Sequence, residues 1–142
     1  MTDDGKIEAN LKQGAQSVSP RDLDSVIKQQ NKIEQVVQTK SSLKQFLGDI
    51  QLLFSLLKDY ASGRYRAVPW WSIAAITTSL LYVLNPFDLI HDLIPLVGLG
   101  DDALFLAACL KMVQEDLNAY KIWKAQKDTA PADGGNSNND KN

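Results

Sequence analysis

The 17-residue stretch Val68–Leu84 carries no charged side chain, and any fold of this chain must find somewhere to hide it. It reads Val-Pro-Trp-Trp-Ser-Ile-Ala-Ala-Ile-Thr-Thr-Ser-Leu-Leu-Tyr-Val-Leu. Pro69 suits a first helical turn, and neither glycine nor proline interrupts the residues from Trp70 to Leu84. A helix that is uncharged all round is stable only inside a protein core or inside a bilayer. At a rise of about 1.5 Å per residue it spans about 25 Å, the short edge of what a hydrocarbon layer of about 30 Å requires.

Membrane insertion is favoured by Lys58, Arg64 and Arg66 just before the stretch, and by Trp70 and Trp71 at one end and Tyr82 at the other. A basic flank and aromatic belts are the pattern of a span with its N-terminus inside. Against it stand Ser72, Thr77, Thr78 and Ser79, and the acids beyond it, Asp88, Asp92, Asp101 and Asp102. Each acid costs about 2.5–3.5 kcal/mol near the bilayer centre. A return through Leu104–Leu110 is too short to span. The expectation is therefore the central helix of a soluble bundle, with Ile73, Ile76 and Leu80 on one face. Ala74, Ala75, Thr78 and Ser79 let neighbours approach closely on another. A membrane-inserted or re-entrant segment and a peripheral position at the interface are the alternatives.

The remaining chain reads as all-α, a small bundle of four to five helices forming one domain over 19–127. Residues 1–18 offer only Ile7, Leu11 and Val18 as larger apolar groups and are expected to be a loose arm. Residues 128–142, rich in Gly, Asn, Ser and Asp, are expected to be a disordered tail. Ser19-Pro20-Arg21-Asp22 supplies a helix start, followed by Leu23, Val26, Ile27, Ile33 and Val37 at helical spacing. A second stripe, Leu43, Phe46, Leu47, Ile50, Leu53, Phe54 and Leu57, ends near Ser62-Gly63. The two are either separate helices with a boundary at Thr39–Ser42 or one bent helix. A last helix runs from after Gly100 to about Lys127, with Leu106, Leu110, Val113, Leu117 and Tyr120 inward. The single cysteine, Cys109, lies in an apolar run and is expected to be buried and inert.

Between the uncharged helix and the last one lies an acidic hairpin, Asn85–Asp102. Asn85 and Pro86 start a short helix, Pro95 ends it, and Gly98 and Gly100 allow a tight return. Asp88 suits the free amides of the short helix, and Asp101 and Asp102 those of the last one. Asp88, His91 and Asp92 fall at i, i+3 and i+4, and the return brings Asp101 and Asp102 within reach. Helix capping explains most of these carboxylates. The alternative is a divalent-cation site or a metal-dependent hydrolase built on Asp88, His91, Asp92, Asp101 and Asp102.

Tyr82, Pro86, Asp88-Leu89-Ile90, Asp92, Ile94-Pro95, Gly98 and Asp101-Asp102, with Pro69-Trp70 before them, resemble the signature of the YkvA-like family. This is a domain of unknown function found in small bacterial and archaeal proteins. The resemblance covers 69–110 and implies a compact helical domain, often membrane-associated, with no established activity. The family pattern has proline where this chain has His91, so a metal site that depends on His91 is not a family-wide property.

A net charge of −2 argues against a nucleic-acid partner. The polar, acidic start Met1–Lys6 lacks the basic and apolar segments of an export signal, so the bacterial cytoplasm or the cytoplasmic face of the membrane is expected. No nucleophile–base pattern or phosphate-binding loop is present. The expected role is that of a non-enzymatic helical module associating with a membrane surface, with itself or with a protein partner. Arg64, Arg66, Trp70 and Trp71 are the candidate contacts.

Overall fold

The computed structural model describes residues 2–84 and 102–129, and these are all-α. Among them are seven α-helices and one 3-10 turn: α1 Thr2–Ser17, α2 Pro20–Lys28, α3 Gln30–Thr39, the turn Lys44–Phe46, α4 Leu47–Ala61, α5 Trp70–Leu84, α6 Asp102–Met112 and α7 Gln114–Thr129. The count exceeds four to five partly because two expected helices are each jointed. At Gln29 the backbone leaves helical geometry (φ −101°, ψ 19°) between α2 and α3. At Val113 the joint is slighter. Val113 N–H still donates to Cys109 O at 3.0 Å, and Leu117 N–H to Val113 O at 2.9 Å.

Local chemistry sets the helix boundaries. Ser19 is extended, and its backbone N–H donates to the Asp22 carboxylate at 2.9 Å, satisfying a donor ahead of α2. Residues 40–43 separate α3 from the 3-10 turn, so the 20–62 stretch is not one continuous helix. After α4, Gly63 takes φ +85°, and its N–H donates to Tyr60 O at 3.1 Å; the left-handed conformation there favours glycine.

The uncharged helix is hidden by protein. Every residue from Ser72 to Leu80 is buried, and α1, α2, α3 and α6 all pack against α5. Two of its hydroxyls are satisfied within the helix, Thr77 by Ile73 O and Thr78 by Ala74 O, each at 2.9 Å. No helix among the described residues is long and apolar enough to cross a membrane. The main core joins Leu23, Val26, Ile33 and Val37 of α2 and α3 to Ile50, Leu53, Phe54 and Leu57 of α4. Ile73, Ile76 and Leu80 of α5 and Phe105, Leu106 and Cys109 of α6 complete it. Tyr82 stacks on Phe105 with ring centroids 4.3 Å apart.

The loose arm expected at 1–18 is instead the helix α1, and the reason lies in small residues. Leu11 is fully buried, while Ala15 packs with Ala74 and Ala75 of α5. Gly14 comes so close to α5 that a Cβ there would meet Thr78 Cγ2 at 2.6 Å. Backbones that approach this closely gain dispersion contacts along their whole length, which offsets a shortage of large apolar side chains. Ala74, Ala75 and Thr78 thus act as the close-approach face expected of the uncharged helix. Residues 130–142 lie outside the described residues, and α7 continues to Thr129.

Candidate functional site

The loop 62–69 between α4 and α5 carries two of the expected contact residues and leads into the other two. A buried carboxylate fixes it. Asp59, in the last turn of α4, has a side chain only 10% exposed. The Tyr120 hydroxyl of α7 donates to Asp59 Oδ2 at 2.6 Å, and Arg64 Nε to Oδ1 at 3.2 Å. Lys124 Nζ lies 3.7 Å from Oδ2. With its proton committed to Asp59, Tyr120 accepts from the Ser55 hydroxyl at 2.5 Å. The Asp59 main-chain carbonyl also holds the loop, accepting from Tyr65 N–H at 3.1 Å and from the Ser62 hydroxyl at 3.2 Å. Burial works to raise the Asp59 pKa. The hydrogen bonds from Tyr120 and Arg64 and the charges of Lys124 and Arg64 outweigh it, holding the carboxyl below its ordinary value.

Around this carboxylate the aromatic rings close up. Tyr65 meets Tyr120 edge-on at 5.1 Å and lies 4.9 Å from Trp123, which stacks with Tyr120 at 5.8 Å. Burial, with the nearby Asp116 charge, raises the Tyr65 pKa. Asp116 also accepts from the Ser72 hydroxyl at 2.5 Å, tying the first turn of α5 to the first turn of α7. Ser55 and Asp59 were not singled out from sequence, and Tyr120 was expected only as an inward residue of the last helix, which it is. Ser55 and Asp59 share a helix face at i, i+4, but their partner lies 61 residues beyond Asp59, and spacing carries no signal of that pairing.

The expected contact residues divide. Arg64 is engaged with Asp59, although its side chain is 59% exposed. Arg66 Nε donates to Tyr60 O at 2.7 Å, and its guanidinium lies 4.7 Å above the Tyr60 ring. Trp70 is half-buried, with its ring 6.2 Å from that of Tyr60. Trp71 is 43% exposed. Both indoles line a depression of about 450 Å³ whose other walls are Lys12, Ala15 and Gln16 of α1. Arg66, Tyr60, Trp70 and Trp71 therefore form a continuous basic and aromatic rim at one end of the bundle.

The hairpin residues Asn85, Pro86, Asp88, His91, Asp92, Pro95, Gly98, Gly100 and Asp101 lie outside the described residues, and with them the expected cation site. Asp102 opens α6. Among the described residues no group of three or more His, Cys, Asp or Glu is placed to hold a metal ion. Cys109 is fully buried, its thiol donating to Ala75 O at 3.7 Å, and burial pushes its pKa up to about 12. The nearby Ser79 hydroxyl acts in the other direction and is outweighed.

Residues 72–108 match the profile of a family described as a protein of unknown function (DUF1232). This match begins in the first turn of α5, takes in residues 85–101 and ends within α6. Over this segment the chain resembles the YkvA-like family. It is 28% identical over 87 residues to a Bacillus subtilis (strain 168) protein named "Uncharacterized membrane protein YkvA", an overlap covering 61% of this chain and 82% of that relative. No solved structure matches.

Proposed function

We propose that this YkvA-like chain is a non-enzymatic helical module that associates with a membrane surface through the rim formed by Arg66, Tyr60, Trp70 and Trp71. The observation that carries this reading is Trp71. A large indole is left 43% exposed beside a second indole and an apolar depression, although Ser72–Leu80 just after it are all buried. Indoles favour the headgroup level of a bilayer, where the apolar ring and the polar N–H are both accommodated. Arginine beside them suits anionic lipid. The word "membrane" in the name of the Bacillus relative accords with this reading. Because no helix among the described residues is of spanning length, the mode of attachment proposed is peripheral.

Flotation of the full chain with liposomes tests the proposal. The protein should rise with the vesicles, and Trp71→Ser should weaken partitioning about tenfold, equivalent to about 1.4 kcal/mol. Burial of a large apolar side chain is worth about 1.5–3 kcal/mol, and Trp71 is already partly covered, so the lower end applies. A protein that stays at the bottom of the gradient in every lipid mixture has no such role.

A further inference from the structure

The depression between α1 and α5 has walls of a defined chemistry. Among the described residues Trp70, Trp71 and Ala15 supply apolar surface, Gln16 supplies an amide, and Lys12 supplies a positive charge. Its volume of about 450 Å³ falls within the range of small-ligand sites, about 300–1,000 Å³. Lys12 and Gln16 are separated by four residues on α1, so their polar ends share a face. An ammonium group has three donors and no acceptor. No ion pair among the described residues engages Lys12, whereas Arg64 and Lys124 both face Asp59.

An exposed cation over apolar walls is complementary to an anion that carries an apolar body. Inorganic phosphate uses the cation but leaves the indoles bare, and a neutral lipid uses the indoles but leaves the cation without a net negative partner. We propose that the depression seats the headgroup of one anionic phospholipid, with Lys12 and Gln16 against the phosphate and Trp71 and Trp70 against the glycerol and first methylenes. Arg66, placed next to Trp70 through the Tyr60 ring, supplies a second cation toward the same negative leaflet. This inference rests on the membrane reading above and adds to it a selectivity and a residue, Lys12, that the sequence did not single out.

The test uses the full chain with vesicles of phosphatidylcholine alone and vesicles containing about one third phosphatidylglycerol. Binding should favour the phosphatidylglycerol vesicles, and Lys12→Gln should weaken it about fivefold, as expected for one lysine at an anionic surface. Lys44→Gln, elsewhere on the molecule, should leave binding unchanged, and circular dichroism of each variant verifies folding. Dihexanoyl phosphatidylglycerol below its micellar concentration should shift the tryptophan emission of the natural chain and not of Lys12→Gln. Equal binding to both vesicle types, or equal effects of the two lysine variants, overturns this inference and leaves the membrane reading standing. The same emission shift with inorganic phosphate, or a concentration-dependent dimer that shields Trp71, also overturns it by assigning another occupant. No binding to either vesicle overturns both readings.

Discussion

Replacing Gly14 by alanine separates a helix that is merely helical from one seated on its neighbour. An alanine in a helix interior is favoured over glycine by about 1 kcal/mol. At Gly14 the added methyl would stand 2.6 Å from Thr78 Cγ2 and 3.3 Å from Thr78 Oγ1. Thr78 does not turn aside freely, because its hydroxyl is spent on Ala74 O at 2.9 Å and its residue is fully buried. Overpacking of this kind costs about 1–3 kcal/mol. Gly14→Ala should therefore be destabilising by up to about 2 kcal/mol. Gly48, on the exposed side of α4, has nothing within 4 Å of a built Cβ, so Gly48→Ala should stabilise by up to about 1 kcal/mol. Thr78→Ser removes only the clashing methyl and keeps the hydroxyl, so Gly14→Ala with Thr78→Ser should recover at least about 1 kcal/mol of coupling. Urea unfolding followed by circular dichroism reads these differences. With a slope of about 1–3 kcal/mol per molar urea, the two alanine variants should differ in midpoint by on the order of 1 M. If Gly14→Ala gains as much as Gly48→Ala, α1 does not sit against α5 as described.

Asp59 gives a pH prediction. Its folded pKa lies below the unfolded value of about 3.9, so its contribution is complete above that value and is lost as pH falls through the folded pKa. Asp59→Asn should cost about 1–3 kcal/mol at pH 7, and this gap from the natural chain should narrow steadily below about pH 4. A gap of constant size from pH 7 to pH 2.5 would show that the ionised carboxylate is not what holds the loop. Cys109, buried and with its thiol at about 12, should stay unlabelled by a thiol reagent at neutral pH until the chain unfolds. Prompt labelling in native buffer would contradict its place between α5 and α6.

What was legible in the sequence was whatever one element dictates alone. The capping pattern Ser19–Asp22, the apolar stripes through Leu23–Val37 and Leu43–Leu57, and the stop at Gly63 are local signals and hold, although the first stripe is jointed at Gln29 and the second enters through a 3-10 turn. The burial of Ser72–Leu80 follows from the absence of charge, which leaves the helix no wet face. Features requiring two elements were illegible. Counting large apolar groups undervalued Thr2–Ser17, because its seat is made by the bare Gly14 and the small Ala15 meeting the small Ala74 and Ala75. The Asp59–Tyr120 bond and the Ser72–Asp116 bond depend on how α7 lies across α4 and α5, and no periodicity in one helix specifies that crossing. For the same reason no signal in the sequence marked Lys12, whose place beside Trp71 depends on how α1 lies on α5.

The Asp59 cluster and the aromatic rim are coupled through the chain itself. Fixing the backbone of one residue costs about 1–2 kcal/mol, so an eight-residue connection such as 62–69 does not hold one shape without partners. Here the partners are concentrated at its first half, where Ser62 and Tyr65 bond the Asp59 carbonyl and Arg64 bonds the carboxylate. Arg66 then closes onto Tyr60, the residue adjacent to Asp59, and Tyr60 borders Trp70. The rim is thus assembled before any surface is met, and a preformed contact avoids the ordering cost that a mobile loop would incur on binding. On the membrane reading proposed above, Asp59→Asn should weaken vesicle binding in a folded protein although Asp59 itself is buried and makes no contact with lipid. Acid that protonates Asp59 should act in the same direction.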